Sequence, residues 1–264
     1  MINVLHLGLI DYATALDLQH TLVELRKQNR IADTLLLLEH PPVITLGRNA
    51  DATNILASKE QLAARGVEIC ECDRGGDVTF HGPGQLVGYP IFDLRGFRPK
   101  LGAVDFVRRL EEALIRTCGD LGVPTERVQG LTGVWTSPRK DEGPAKIAAI
   151  GVHISRGVTS HGFALNVSND LEFFRLIVPC GIPDKPVTSL EQELRALGDL
   201  REGQQLSMET VVHAVSRNFG RVFARQTLWL ESLEALLGTV TPSDTPMKPP
   251  AELRALHEED IFLA

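Results

Sequence analysis

The chain has 264 residues, 43% of them hydrophobic and 23% charged, which is the composition of an ordinary globular protein with a real core. Lys and Arg number 27 and Asp and Glu 34, and the net charge of -7 argues against nucleic acid as the main partner, because such binding depends on neutralising phosphates. The first residues lack the basic segment of a signal peptide, and no apolar run approaches membrane-spanning length. We therefore expect a soluble, cytoplasmic protein.

The N-terminal half of the sequence alternates strand and helix patterns. Apolar residues recur every three or four positions after Asp11, an N-cap residue, which predicts an amphipathic helix to about Asn29. Ser58 and Gln61 have the spacing of a capping box, which predicts a helix that ends at Gly66. Short apolar runs predict strands at residues 2–7, 35–39, 43–46 and 67–72.

Residues 74–85 form a glycine-rich stretch between two predicted strands. Four glycines and one proline accompany Arg74, Asp77, His81 and Gln85. So many glycines imply a backbone that lies close to something that a Cβ atom would block. We interpret the stretch as a binding loop, with an ordinary hairpin connection as the alternative. Asp77 could orient Arg74 or His81, or it could serve the turn.

The second half of the sequence contains a predicted hairpin. Residues 146–155 and 161–167 are apolar strands on either side of a short turn. His153 and His161 flank this hairpin, and we expect no metal site because no third ligand accompanies them at metal spacing. His161 could line a pocket, whereas His153 is expected in the core or at the surface. Further predicted elements are a strand at 86–94, a helix at 105–121, helices from Ser189 and Ser207, and a helix at 228–237.

The four cysteines show neither the density of a disulfide scaffold nor a CxxC spacing, so reduced thiols are expected. Cys70, Cys72 and Cys118 fall in periodic elements, and we expect all three in the core. Cys180 differs, because the proline before it and the glycine after it display its thiol from a loop.

A thiolate forms readily at neutral pH only beside a positive charge, a helix N-terminus or a base. The groups that the sequence offers to Cys180 are Lys146, His81, His153 and His161. An inert loop cysteine is the alternative interpretation.

Five ordered blocks of this sequence resemble the lipoyl(octanoyl) transferases of lipoate biosynthesis, which move an octanoyl group from acyl carrier protein to a lysine of a lipoyl domain. The blocks are Glu39-His40-Pro41-Pro42-Val43 with Thr45-Leu46-Gly47, the loop 74–85, Lys146-Ile147-Ala148-Ala149-Ile150-Gly151, His161-Gly162-Phe163-Ala164-Leu165-Asn166-Val167, and Pro179-Cys180-Gly181. One block alone is a weak signal, but chance rarely reproduces this order. The resemblance covers roughly residues 1–225.

The resemblance implies a catalytic domain at 1–225, with residues 226–264 as a C-terminal extension of unknown role. The implied fold is α+β, a mixed β-sheet flanked by helices and akin to lipoate- and biotin-protein ligases. Cys180 would accept the acyl group as a thioester, and Lys146 beside it would govern proton transfer. The residues that match the walls of the acyl pocket are Arg74, Gly75, Gly76, Asp77, Val78, Thr79, Phe80, His81, Ala149, Ile150, Gly151, Gly162, Phe163 and Ala164.

The implied donor is octanoyl-acyl carrier protein, and the implied acceptors are lipoyl domains of 2-oxoacid dehydrogenase complexes and the glycine cleavage H protein. The donor is already a thioester, so neither ATP nor a cofactor is required. A lipoate or biotin ligase would instead use ATP, bind phosphate with its glycine loop and have no need of Cys180. A homologue that only binds acyl groups would not pass them from Cys180 to a lipoyl domain.

Three further expectations concern the space for an acyl chain, the docking of the carrier protein and one loop whose length differs from the family norm. Small residues at 149, 151, 162 and 164 are expected to leave space for a narrow acyl tunnel. An acidic carrier protein would need a basic docking patch on this acidic chain. The candidates are Arg48, Arg74, Arg95, Arg98 and Lys100. The charged loop 137–145 looks longer than the family norm.

Overall fold

The structure, a computed structural model, describes residues 1–137, 143–179 and 185–238. Their strands are β1 (Ile2–Leu9), β2 (Asp33–Glu39), β3 (Val43–Leu46), β4 (Glu68–Glu71), β5 (Val78–His81), β6 (Gln85–Ile91), β7 (Thr125–Val128), β8 (Leu131–Thr136), β9 (Lys146–Ser155), β10 (Val158–Asn166) and β11 (Thr227–Trp229). Their α-helices are α1 (Tyr12–Lys27), α2 (Lys59–Ala64), α3 (Ala103–Asp120), α4 (Leu190–Leu197), α5 (Met208–Phe223) and α6 (Leu233–Gly238). Short 3-10 helices lie at Ala52–Asn54, Leu94–Gly96 and Leu171–Leu176.

A mixed, eight-stranded sheet forms the centre of the fold, in the order β11-β1-β2-β6-β10-β9-β8-β7. The first three strands are parallel, and every pairing from β2 to β7 is antiparallel. A three-stranded sheet in the order β4-β3-β5 lies beside it. The mixed sheet with flanking helices confirms the predicted α+β class.

Helices cover both faces of the large sheet. Side chains alternate along each strand, so one strand contributes to the packing on both faces. On β2, Leu35 and Leu37 belong to the cluster that contains α3 and α5. Leu36 and Leu38 belong to the opposite cluster with α1 and α6. The continuous apolar run of β2 is thus buried on both sides, as expected for a central strand.

Local signals in the sequence predicted several helix ends and turns correctly. The Asp11 carboxylate accepts a hydrogen bond from the backbone N–H of Thr14 (2.9 Å) and caps α1. Both hydrogen bonds of the predicted capping box between Ser58 and Gln61 are present. The predicted hairpin is confirmed as β9 and β10, and its register sets Gly162 opposite Gly151.

His40 fixes the corner between β2 and β3. Its Nδ1 lies 2.6 Å from the carbonyl oxygen of Ile10, which can only accept, so Nδ1 carries the proton. Its Nε2 then accepts from the hydroxyl of Tyr89 at 2.7 Å. Burial lowers the pKa of His40 from 6.5 to about 4, so the ring is neutral at physiological pH.

Two predictions were wrong, one about the burial of cysteines and one about the start of a helix. Cys70 and Cys72 are half-buried rather than part of the core, because Cys70 lies on β4, an edge strand with mostly exposed residues, and Cys72 directly follows that strand. Cys118 is fully buried, as predicted. The predicted helix at 228–237 begins only at Leu233, because residues 227–229 instead add a parallel strand to β1. No helix among the described residues is long and apolar enough to cross a membrane.

The contact between Gly88 and Phe163 tests the register of β6 and β10. The two residues are paired, and a Cβ atom on Gly88 would lie 2.1 Å from the Phe163 ring. We expect Gly88→Ala to destabilise the fold by about 1–3 kcal/mol through overpacking. The added methyl should cost much less in a Phe163→Leu background, as measured by urea unfolding in a double-mutant cycle. Additive effects of the two changes would contradict this register.

The neutral state of His40 predicts acid sensitivity. The unfolded chain protonates this side chain near pH 6.5 and the folded chain only near pH 4, so stability falls as pH decreases between these values. The effect of His40 on the free energy of unfolding reaches about 1.4 kcal/mol per pH unit. Unfolding curves between pH 7 and 5 should therefore show a smaller pH slope for His40→Gln than for wild type. The exposed His20→Gln is the control, and an unchanged slope in His40→Gln would refute the assignment.

Candidate active site

A mostly apolar cavity of about 240 Å³ lies between the β9–β10 hairpin and the glycine loop that joins β4 to β5. The loop and the hairpin are far apart in sequence, and the small sheet brings them together. The predicted site residues that line the cavity are Arg74, Gly75, Gly76, Asp77, Thr79, His81, Lys146, Ala149, Ile150, Gly151, Gly162, Phe163 and Ala164. His161 lines it as well.

Val78 and Phe80 do not line this cavity. They alternate with Thr79 and His81 along β5, so their side chains point to the opposite face. There they join a separate apolar cluster, in which Phe80 stacks on Phe173 with ring centres 4.8 Å apart. The resemblance assigned the whole loop to the acyl pocket without separating the two faces of the strand.

Several lining residues were not predicted. Both tyrosines of the chain, Tyr12 on α1 and Tyr89 on β6, face the cavity together with Val87. Residues 130–132, where the β7–β8 hairpin turns, complete the wall. The alternation of β6 could have indicated Val87 and Tyr89 as a pair, but only tertiary structure shows that α1 supplies Tyr12.

The glycine loop is held in place by buried polar contacts. The guanidinium of Arg74, which is 8% exposed, donates from Nη2 to the carbonyl oxygen of Thr45 (2.7 Å). The Asp77 carboxylate accepts from the backbone N–H of Asp51 (2.9 Å) and from the side chain of Asn54. Asp77 therefore ties the loop to a neighbouring segment, and neither Arg74 nor His81 is its partner in these bonds.

The burial of Arg74 removes it from the expected docking patch. Arg48, Arg98 and Lys100 are exposed. The Arg95 side chain is half-exposed and forms an ion pair with Asp93 (2.9 Å). The free basic surface that the five candidates offer is thus smaller than the sequence indicated.

Gly151 and Gly162 of the β9–β10 hairpin allow close backbone packing. A Cβ atom on Gly151 would lie 2.6 Å from the carbonyl oxygen of Gly75. One on Gly162 would lie 2.2 Å from the carbonyl oxygen of Gly88 on the neighbouring strand. The backbone N–H of Gly75 also donates to the carbonyl of Val152 (3.1 Å). Close packing thus accounts for the small size of Gly151 and Gly162. Both glycines also line the cavity together with Ala149 and Ala164, and the acyl tunnel stays a prediction.

A carboxylate shared by two histidines clamps the loop to the hairpin. His161 Nε2 donates to Asp73 Oδ1 (2.7 Å), and His153 Nδ1 donates to the other carboxylate oxygen. Partial burial raises the pKa of Asp73, but these bonds outweigh it and lower the pKa from 3.8 to about 2. Burial lowers the pKa of His161, so this ring is neutral at physiological pH. Its buried Nδ1 has no hydrogen-bond partner among the described residues.

Lys146 is 7% exposed and projects into the cavity from the start of β9. Its Nζ lies 4.8 Å from the centre of the Trp135 ring, within the range of a cation–π contact. Its backbone N–H donates to the carbonyl of Pro186 and its carbonyl accepts from Thr188 (2.9 Å), so residues 186–188 run beside it. Cys180 itself lies outside the described residues.

The described part of the chain contains no group of three or more His, Cys, Asp or Glu side chains that could hold a metal ion. The ionisable side chains on the cavity wall are one amine, one guanidinium, one carboxylate, two imidazoles and two phenols. Such a set can bind an apolar chain and move protons at one end of it.

Comparison with known proteins identifies the family. The family described as "Lipoyl protein ligase A/B catalytic domain" matches residues 11–220. An octanoyltransferase of Koribacter versatilis (strain Ellin345) is 64% identical over 263 residues, 100% of both chains. Another, from Acidobacterium capsulatum, is 62% identical over 242 residues, 90% of this chain and 96% of that one.

Solved structures agree on the fold. The bi-partite lipoate protein ligase of Thermoplasma acidophilum superposes with a TM-score of 0.67 over 90% of each chain, at 16% identity. A lipoate-protein ligase A bound with ATP gives a TM-score of 0.65, at 16% identity over 90% of this chain and 92% of that one. The resemblance drawn from the sequence blocks is confirmed: the chain belongs to the lipoyl protein ligase A/B catalytic domain family and, within it, to the octanoyltransferases, which are acyltransferases.

Proposed function

We propose that this chain transfers an octanoyl group from octanoyl-acyl carrier protein, through a thioester on Cys180, to a lysine of a lipoyl domain. The observation that carries the proposal is the side chain of Lys146, an amine buried at the wall of a mostly apolar cavity. The chain that contains it is similar to octanoyltransferases along its whole length. An amine in that position can hold or release a proton where an acyl chain is bound.

The first half-reaction exchanges one thioester for another. The Cys180 sulfur forms a bond to the donor's carbonyl carbon, the carbon–sulfur bond to the carrier protein breaks, and the proton of Cys180 ends on the released carrier thiol. The ammonium form of Lys146 would favour the Cys180 thiolate by charge attraction. Both thioesters have similar energies, so ATP is not consumed.

The second half-reaction forms an amide. The lysine amine of the lipoyl domain bonds to the carbonyl carbon, the bond to the Cys180 sulfur breaks, and the amine proton passes to that sulfur. Neutral Lys146 would carry this proton. Backbone N–H groups near Cys180 or in residues 149–151 are candidates to stabilise the tetrahedral oxyanion.

The lining of the cavity suits an alkyl chain. Val87, Leu131, Ile150, Phe163 and Ala164 supply apolar surface. Each methylene group buried against such surface contributes about 0.8 kcal/mol. The pocket residues named from the resemblance remain part of this proposal, except that Val78 and Phe80 would act through the packing of β5.

The proposed partners follow from the chemistry. Acceptors would be lipoyl domains of 2-oxoacid dehydrogenase complexes and the glycine cleavage H protein. An acidic carrier protein could dock on the exposed Arg48, Arg98 and Lys100. Residues 1–225 would carry the catalysis, and a cytoplasmic location remains an expectation from the sequence.

An acyl-enzyme on Cys180 is the first prediction of this function. Incubation with octanoyl-acyl carrier protein, without ATP, should give a hydroxylamine-labile octanoyl adduct that peptide mass spectrometry maps to Cys180. Cys180→Ala and Lys146→Ala should lose the adduct or form it much more slowly. Cys70→Ala, which removes a half-buried thiol on the edge strand β4, is the matched control and should behave like wild type. An adduct elsewhere would overturn the role of Cys180, and a strict requirement for ATP would favour a ligase.

The Gly75–Gly151 contact gives a second prediction. Gly151→Ala should push the glycine loop away from β9, because the new methyl group would overlap the Gly75 carbonyl. We expect acyl transfer to fall by up to about 100-fold, since displacements near 1 Å have such effects on catalysis. Gly119→Ala, where a Cβ meets nothing within 4 Å, is the control. Wild-type turnover in Gly151→Ala would contradict this role of the loop.

A further inference from the structure

His81 stands at the cavity wall at the end of a buried chain of amide side chains. Its Nδ1 lies 2.7 Å from Gln85 Oε1. Gln85 Nε2 lies 2.9 Å from Asn166 Oδ1, and Asn166 Nδ2 lies 2.9 Å from the backbone carbonyl of Thr188. Gln85, Asn166 and Thr188 are all at most 4% exposed, so water does not compete for these bonds.

The backbone carbonyl at the far end fixes the direction of every bond. A carbonyl can only accept, so Asn166 presents its NH₂ group to Thr188 and its oxygen to Gln85. Gln85 must therefore donate to Asn166, and its NH₂ group also donates to the carbonyl of Phe80 (3.2 Å). The remaining oxygen of Gln85 can only accept, so the proton of His81 is on Nδ1.

His81 is consequently a neutral ring with a lone pair on Nε2. Burial, followed by the nearby His40, lowers its pKa from 6.5 to about 3, and Arg74 and His161 act in the same direction. The Gln85 hydrogen bond is the one contact that raises it. The Tyr12 ring stacks on the His81 ring, and the two ring centres lie 6.1 Å apart. Nε2 forms no hydrogen bond with the described residues, and the ring lines the cavity.

The same chain of bonds reaches Lys146. The backbone N–H of Thr188 donates to the carbonyl oxygen of Lys146 at 2.9 Å. Gln85 on β6 and Lys146 on β9 are separated by β10 alone, which is two strand spacings or about 10 Å. His81 and Lys146 therefore line one cavity from positions that one buried network sets.

We propose that Nε2 of His81 accepts a hydrogen bond from the attacking lysine amine, and that Gln85 and Asn166 are positioning residues that keep it an acceptor. This inference rests on the proposed octanoyl transfer. A thioester offers no hydrogen-bond donor at its reacting carbon, whereas a neutral amine offers N–H groups, so the acceptor suits the second half-reaction.

The proton balance of that half-reaction is unchanged by His81. The new carbon–nitrogen bond forms as the bond to the Cys180 sulfur breaks, and Lys146 moves the amine proton to that sulfur. His81 takes up no second proton on Nε2 at neutral pH, because its pKa is too low. Its role is to aim the lone pair of the amine at the carbonyl carbon.

The first test reads the tautomer directly. Two-bond ¹H–¹⁵N correlation spectra of the imidazoles should show His81 with a protonated Nδ1 and a bare Nε2 that does not titrate between pH 8 and about 5. Gln85→Leu should release the Nδ1 proton and populate the other tautomer. Asn218→Leu is the control, because Asn218 is a buried amide on α5 that contacts Thr117 and Asp120. A protonated Nε2 in wild type would overturn the inference.

The second test separates the two half-reactions in single turnovers. Gln85→Leu and His81→Leu should slow transfer from acyl-Cys180 to the lipoyl domain about tenfold more than they slow acylation, which corresponds to one lost hydrogen bond. Gln85→Glu should place a carboxylate beside Nδ1, raise the pKa of His81, and give a transfer rate that rises with pH. Asn218→Leu should match wild type in both steps.

The outcomes distinguish the inference from the function on which it rests. If wild type forms no acyl-Cys180, the proposed transfer fails, although the tautomer can still be read. If acyl-Cys180 forms and His81→Leu transfers it at the wild-type rate, the transfer stands and the role of His81 is wrong. Equal slowing of both half-reactions by Gln85→Leu would indicate a structural effect only and would also overturn the inference.

Discussion

Contact between two backbone segments, Gly75 in the glycine loop and Gly151 on β9, is the constraint on which the site depends. The carbonyl oxygen of Gly75 occupies the space that a side chain at Gly151 would take, and the N–H of Gly75 bonds to Val152. The small sheet can therefore close over the β9–β10 hairpin and leave one cavity between them. Arg74, Asp73 and Asp77 hold the loop there through separate buried or half-buried partners.

Three buried histidines, His81 and His161 on the cavity wall and His40 packed against His81, each have a defined tautomer. Backbone carbonyls at Ile10 and Thr188 fix His40 directly and His81 through two amides. The Asp73 carboxylate fixes His161 in the same way. Burial keeps these three rings neutral, and in the proposed transfer it is Lys146 that exchanges a proton with sulfur or amine. The low dielectric that favours the neutral rings also strengthens each hydrogen bond.

The sequence predicted what local patterns determine. Asp11 and Ser58 cap helices through their own neighbours in the chain, and the β9–β10 hairpin closes on a short turn. Tyr12 at the cavity wall, the exposed side of β4 and the pairing of Thr227–Trp229 with β1 depend on which surfaces meet in three dimensions. The blocks shared with the family named most of the residues that line the cavity. They did not show that Val78 and Phe80, which alternate with lining residues along β5, face away from it.

The central claim is that the acyl group passes through Cys180 under the control of a buried amine. Rapid-quench mass spectrometry during one turnover, with octanoyl-acyl carrier protein and a lipoyl domain supplied together, tests it most directly. The account predicts that acyl-Cys180 appears before octanoyl-lysine and decays at the rate at which octanoyl-lysine forms. Formation of octanoyl-lysine while Cys180 stays unacylated, or at a rate faster than the thioester decays, would contradict it.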